Sequence, residues 1–187
     1  FRSQAFGSKF KGVPAGGLGD MGCFSAHPLK NLNAAGDGGF ITTNDAATAM
    51  RVRRLRNHGL ADRNTATEWG TCSRLDTLQA EILLIRLGRL DGVISRRRAN
   101  AALYRSLLNS EHIFSPPDRP EEFSTFHTFV VQVDRRDALE VYLRENEIGC
   151  AIHYPIPIHL QPAAVALGYK VGDFPVTERQ AKRILTL

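Results

Sequence analysis

Nine of the chain's 16 glycines lie between Gly7 and Gly39. A glycine in a helix interior costs roughly 1 kcal/mol relative to alanine, so no long helix forms at that density. The stretch is restricted to short strands and turns, where a missing side chain lets backbone approach backbone or a flat ligand. Within it, residues 21–26 form a short apolar run flanked by turn formers, and residues 40–43 form a β-branched run. Both are predicted strands.

The pattern then changes period. Asn44 and Asp45 supply an N-cap, and residues 46–57 are predicted helical, with Ala49, Val52 and Leu55 on one face and Arg51, Arg53, Arg54 and Arg56 around the rest. Gly59 stops this helix, and residues 60–73 are polar and aperiodic, hence a loop. A wide apolar face then runs through Leu75, Leu78, Ile82, Leu83, Ile85, Leu87 and Leu90, continuing as a second helical stretch over residues 94–108. With Gly88 and Gly92 as weak interruptions, this predicts one long or kinked helix bridging two domains, with the boundary near residue 95. Beyond the prolines at 116, 117 and 120, the spacing predicts a strand over 126–133, a helix over 136–146, a strand over 150–154 and a last helix from 176 to 187. The fold class expected is α/β: residues 1–95 as part of a large domain with a mainly parallel sheet, and residues 96–187 as a small α/β domain.

Composition excludes several classes. Hydrophobic residues make up 43% of the 187 and charged residues 23%, as in globular proteins. No apolar stretch approaches the ~20 residues of a membrane span, and no signal pattern opens the chain. The net charge of +5 suits anionic ligands, but the basic residues form no nucleic-acid motif. Cys23, Cys72 and Cys150 lack metal-ligand spacing and suggest no disulfide framework, so a cytoplasmic setting and no metal are expected. The chain starts at Phe1 without a methionine and stops at Leu187 in a run with a helical pattern, which predicts a fragment of a longer protein.

Chemistry concentrates in one segment. Ser25 and Lys30 lie five positions apart in a polar turn after a strand, followed by Gly36-Asp37-Gly38-Gly39. A lysine amine forms a Schiff base with an aldehyde, and glycine-rich backbone offers N–H groups to anions. Spacing alone still favours an ordinary surface lysine in a tight loop, and there is no Walker A motif.

The segment CFSAHPLKNLNAAGDGG, residues 23–39, resembles the cofactor-lysine segment of the DegT/DnrJ/EryC1/StrS family, the sugar aminotransferases of fold type I. TTND, RLRNHGL, SRLDTLQAEIL, RRRANAALY, AIHYPIPIHLQP and GDFPVTERQAKRILTL follow in the family's order, so the resemblance covers nearly the whole chain. It implies that Lys30 bonds pyridoxal 5'-phosphate and then shuttles a proton, that Ser25 binds the cofactor phosphate, and that Gln4 lies near the pyridine ring. Arg74, His153 and Tyr154 match positions that approach a nucleotide-sugar substrate, and His159 lies in the same loop. An amino-acid donor, usually glutamate, a nucleotide-linked keto sugar and a homodimer are implied as partners. Two positions depart from the family: Phe1 stands where an Asp bonds the pyridinium nitrogen, and Cys72 stands where an Asn reaches the cofactor phosphate. The family's phosphate cup precedes everything in this chain. Two rival readings are a sugar dehydratase, in which histidine replaces the lysine, and a truncated, non-catalytic homologue.

Other residues carry plainer expectations. His58 reads as a helix-end cation, Asp37 as a turn former, Trp69 as packing or an interface, Cys23 as a small core residue, and Arg96, Arg97 and Arg98 as a solvated helix face.

Overall fold

A computed structural model describes residues 4–108 and 110–187, so Phe1 lies outside the described residues. The chain divides into two compact units, Phe1–Ala99 with Asp118–His127, and Asn100–Pro117 with Thr128–Leu187.

The first unit opens with β1 (Lys9–Phe10), β2 (Val13–Pro14), β3 (Gly22–Ser25) and β4 (Gly39–Thr42). Strands β3 and β4 pair antiparallel, Cys23 opposite Ile41. Alternation sends Phe24 inward, where its ring stacks on Phe40 at 5.2 Å while Phe6 meets both rings edge-on. The glycines around this cluster are there for closeness: a Cβ on Gly22 would lie 2.6 Å from Thr42 Oγ1 and 2.9 Å from Gly16 Cα. Thr42 Oγ1 uses that space to donate to Gly16 O at 3.1 Å.

Helix α1 (Ala46–Leu55) starts at its expected cap, with Asp45 Oδ2 accepting from Thr48 N at 2.7 Å. The long apolar stretch is two helices, α2 (Thr77–Leu87) and α3 (Leu90–Leu107), broken at Gly88-Arg89. Leu83, Leu90 and Ile94 bury against Ala26, Leu32 and Ala34. The break lets residues on both helices meet one core. The boundary between the units falls within α3. Between β5 (Ile113–Phe114) and the next segment the chain returns to the first unit as β6 (Glu122–Phe123), completing the antiparallel order β2-β1-β6.

The second unit holds β5, β7 (Val130–Val133), α4 (Arg136–Glu145), α5 (Pro175–Ala181) and β8 (Ile184–Thr186). Its sheet has the order β5-β7-β8, again antiparallel throughout. Four expectations are therefore corrected. Every strand pair among the described residues is antiparallel rather than mainly parallel. Residues 126–129 are not strand; Phe126 turns the chain at φ +44°. In the stretch 150–154 only Ala151 bridges, to Thr186, before the prolines begin. The last apolar run is not a helix: Ile184 and Thr186 are β-branched, and pairing with Val130–Gln132 satisfies the backbone while Leu185 disappears from solvent at 0% exposure.

Leu185 pairs with Val131, and Val133, Phe129 and Ala181 of the same unit are buried with them. Leu185→Ala should cost about 2–5 kcal/mol, whereas Leu78→Ala, on a side chain 70% exposed, should stay within about 0.5 kcal/mol. Urea unfolding of both variants measures the contrast. Equal midpoints would contradict the placement of β8.

Candidate active site

Strand β3 ends at Ser25, and Ala26 turns the chain into a lobe. Ala26 N donates to Gly38 O at 2.8 Å, and Ala26 O accepts from Ala34 N at 2.8 Å. The intervening residues are pinned at both ends. Inside the lobe His27 organises the turn: its N donates to Ser25 Oγ at 3.3 Å, its Nδ1 accepts from Leu29 N at 3.2 Å, and its carbonyl accepts from Lys30 N at 2.8 Å. Leu32 is buried and anchors the far side.

Helix α2 clamps the lobe from outside. Gln79 Oε1 accepts from Ala35 N at 2.8 Å. Arg86 donates to Asn33 O at 2.9 Å, Asn33 Oδ1 at 2.6 Å and Ala34 O at 3.1 Å. One guanidinium thus satisfies three acceptors of a loop that has no regular ladder of its own.

Lys30 is half-buried, and its Nζ lies 3.5 Å from His127 Nε2. The residues that carry His127 are held by side chains. Ser124 O accepts from Arg98 at 2.7 Å, Thr125 O from Asn31 Nδ2 at 3.2 Å, and Phe126 O and His127 O from Arg97 at 3.1 and 3.0 Å. Thr125, 1% exposed, shares a hydrogen bond with Ser8 through their hydroxyls at 3.1 Å. Arg97 and Arg98 are therefore not a solvated face. Arg98 also pairs with Asp118 at 3.6 Å and covers the Phe123 ring at 4.4 Å, leaving only Arg96 as expected. Sequence reasoning missed His127 because a lone histidine in an apolar run carries no spacing signal.

The other predicted residues of this unit are exposed. Gln4 opens the described chain, and Arg74 follows the loop after α1. That loop is rigidly built. Gly59 is buried at φ +74°, and a Cβ there would fall 1.6 Å from Glu68 O. Glu68 receives Arg54 at 3.0 Å and Arg51 at 3.1 Å, and those guanidinium hydrogen bonds hold its carboxyl below the usual glutamate range. Thr71 N donates to Leu55 O, and Ser73 N to Arg56 O, which presents the exposed Cys72 between them. Trp69 is 99% exposed, so it does not pack within the described residues. His58 sits just past α1 at φ +60°, its N bonded to Thr71 O.

His153, Tyr154 and His159 belong to the second unit. His153 Nδ1 lies 3.0 Å from Thr186 Oγ1. Tyr154, 66% exposed, borders a cavity of about 370 Å³ lined by Ile156, Ile158, Ile184, Gln161 and Gln180. His159 is buried at 7% exposure, with Nε2 3.1 Å from Glu178 Oε1 and its ring 4.7 Å from that of Phe174. Glu178 also accepts from Gly172 N at 2.8 Å. His159 thus ties the proline-rich loop to α5.

Lys30 thus sits five residues past the end of β3, inside a lobe pinned on both sides and followed by Gly36-Asp37-Gly38-Gly39. The chain belongs to the DegT/DnrJ/EryC1/StrS aminotransferase family, whose sequence profile matches residues 2–187. It is 42% identical over 185 residues, 99% of its length, to the dTDP-3-amino-3,6-dideoxy-alpha-D-galactopyranose transaminase of Aneurinibacillus thermoaerophilus, of which it covers 50%. It is 38% identical over 99% of its length to the UDP-N-acetyl-3-dehydro-alpha-D-glucosamine 3-aminotransferase of Acidithiobacillus ferrooxidans, again covering 50%. The crystal structure of S. venezuelae DesV, solved with a ketimine intermediate, superposes with a TM-score of 0.95 at 39% identity, covering 100% of this chain and 50% of that one. The chain spans about half the length of the curated relatives it matches. No helix among the described residues is long and apolar enough to cross a membrane.

The Glu178 node sets an acid limit. The Gly172 N–H, and after it the His159 ring, hold the Glu178 carboxyl below its ordinary value of 4.5. A depressed carboxylate contributes stability that is present above its unfolded-state value and is lost as pH falls through its folded-state value. Thermal midpoints taken from about pH 7 down to about pH 3 should fall less steeply below pH 4.5 in Glu178→Gln than in the parent. Parallel curves would show that Glu178 is not the group responsible.

Proposed function

We propose that the family-length protein transfers an amino group from an amino acid, with glutamate the first donor to try, to a keto sugar carried on a nucleotide, using pyridoxal 5'-phosphate. The observation that carries this reading is the half-buried Lys30 amine, presented by a lobe that Ala26, Gln79 and Arg86 hold in place, in a chain matched from end to end by an aminotransferase family.

The donor set fits part of such a cofactor site. Lys30 offers a primary amine for an aldehyde carbon. Ser25 Oγ accepts from His27 N, which leaves its own O–H to donate to a phosphate oxygen. Asn31 Oδ1, beside Lys30, is buried without a hydrogen-bond partner among the described residues, as in a site that expects a donor. When bound, pyridoxal phosphate supplies an electron sink for the carbanion formed at the substrate. Lys30 would hold the cofactor through its amine, and its Nζ would carry a proton to and from the reacting substrate. Gln4 lies toward the ring. Arg74, His153 and Tyr154 approach the nucleotide sugar, while His159 supports the loop that carries the last two. The first unit acts as the later part of the cofactor domain and the second as the small domain. The working form is a cytoplasmic homodimer.

Both relatives named above are named for amination at position 3 of a nucleotide-linked sugar, so 3-keto sugars on dTDP and UDP are the first substrates to assay. Borohydride reduction of the family-length protein with cofactor should leave a pyridoxyl group on the Lys30 peptide. Lys30→Ala should lower turnover at least about a hundredfold. A pyridoxyl group on another lysine, or normal turnover by the variant, would sink the assignment.

A further inference from the structure

We infer that His127 is the positioning residue for the Lys30 amine, with Arg97 holding it in place; this rests on the reading of Lys30 as the cofactor lysine. A lysine amine rides on four methylenes and samples many rotamers. An amine that must attack one carbon, leave it, and return gains from a fixed resting place near that carbon, because positioning converts loose encounters into near-attack geometries. His127 Nε2 provides one, 3.5 Å from Lys30 Nζ. That distance lies at the long end of hydrogen bonding, so the contact restrains the amine without trapping it.

The construction around the pair argues that the contact is built. Each partner has supports of its own. The Lys30 lobe is fixed by Arg86 and Gln79. On the other side, four successive carbonyls, Ser124 to His127, each accept a side-chain donor, two of them from Arg97. Asn31, the residue after Lys30, supplies one of those donors and so ties the two sides together directly. Phe126 adopts φ +44°, a conformation that bulky residues rarely take. A strained backbone held by arginine and asparagine side chains serves placement of the next residue, and the next residue is His127. Packing alone would require none of these polar ties.

The reporter is formation of the bond between Lys30 and pyridoxal phosphate in the cofactor-free, family-length protein. The amine nitrogen adds to the aldehyde carbon and one water leaves, with no change in oxidation level. The visible band that rises on mixing is followed over a range of cofactor concentrations. The data separate a half-saturation concentration, which reports docking, from a limiting rate, which reports the amine. Two variants discriminate: the terminal amide of Gln reaches the place of a histidine Nε2, whereas that of Asn reaches only the place of Nδ1. His127→Asn should lower the limiting rate about tenfold, the worth of one charge-assisted contact, with half-saturation unchanged. His127→Gln should stay within about threefold of the parent. Equal slowing of both variants, no slowing of either, or an effect confined to half-saturation overturns the proposal. Peptide mapping of the reduced parent adduct separates this from failure of the underlying reading: a label on another lysine refutes Lys30 itself, while a label on Lys30 with the wrong variant pattern refutes only His127.

Discussion

Ala26 is wholly buried, and both of its backbone hydrogen-bonding groups serve the loop it opens. Its N–H ends the pairing of β3 with the Gly38 strand edge, and its carbonyl closes the lobe at Ala34. The geometry around Lys30 depends on these two bonds. The lobe is too short for a core of its own and has no ladder, so the buried Leu32 and the donors of α2 complete what Ala26 begins. A Cβ at Gly39 would lie 2.7 Å from Phe24 O, so the glycines that follow the lysine are part of the same closure. The SRLDTLQAEIL stretch is thereby explained in this chain: Gln79 and, seven residues on, Arg86 bond the lobe that carries Lys30.

The arginines of α3 show how a helix face can look solvated and be structural. Arg97 and Arg98 lie within a run of three, which in isolation is the composition of a charged surface. The chain segment that returns as β6 and the residues after it bring four carbonyls that lack strand partners, and a guanidinium satisfies such acceptors at short range. The second unit repeats the device with a carboxylate. Glu178 collects N–H groups from Gly172 and Phe174 together with His159, so a histidine that resembles a substrate ligand by position is buried and occupied.

Local signals in the sequence determined most of the elements and singled out the segment around Lys30. The capping of α1 by Asp45, the strand before Ser25, the end of α1 near Gly59 and the amphipathic α4 rest on interactions within a few residues, and each is readable where it stands. The motif around Lys30 is equally local, since a turn that presents a lysine is written by its own neighbours. Tertiary structure alone decided the rest. Whether residues 184–186 became strand or helix depended on the open edge offered by Val130–Gln132, with Val131 and Leu185 paired across 54 positions. Whether Arg97 met water or carbonyl, and whether His127 met Lys30, depended on contacts 30 and 97 positions apart. Propensity and period act along the chain, whereas an unpaired strand edge, an orphan carbonyl and a neighbouring amine exist only after distant segments have been folded together.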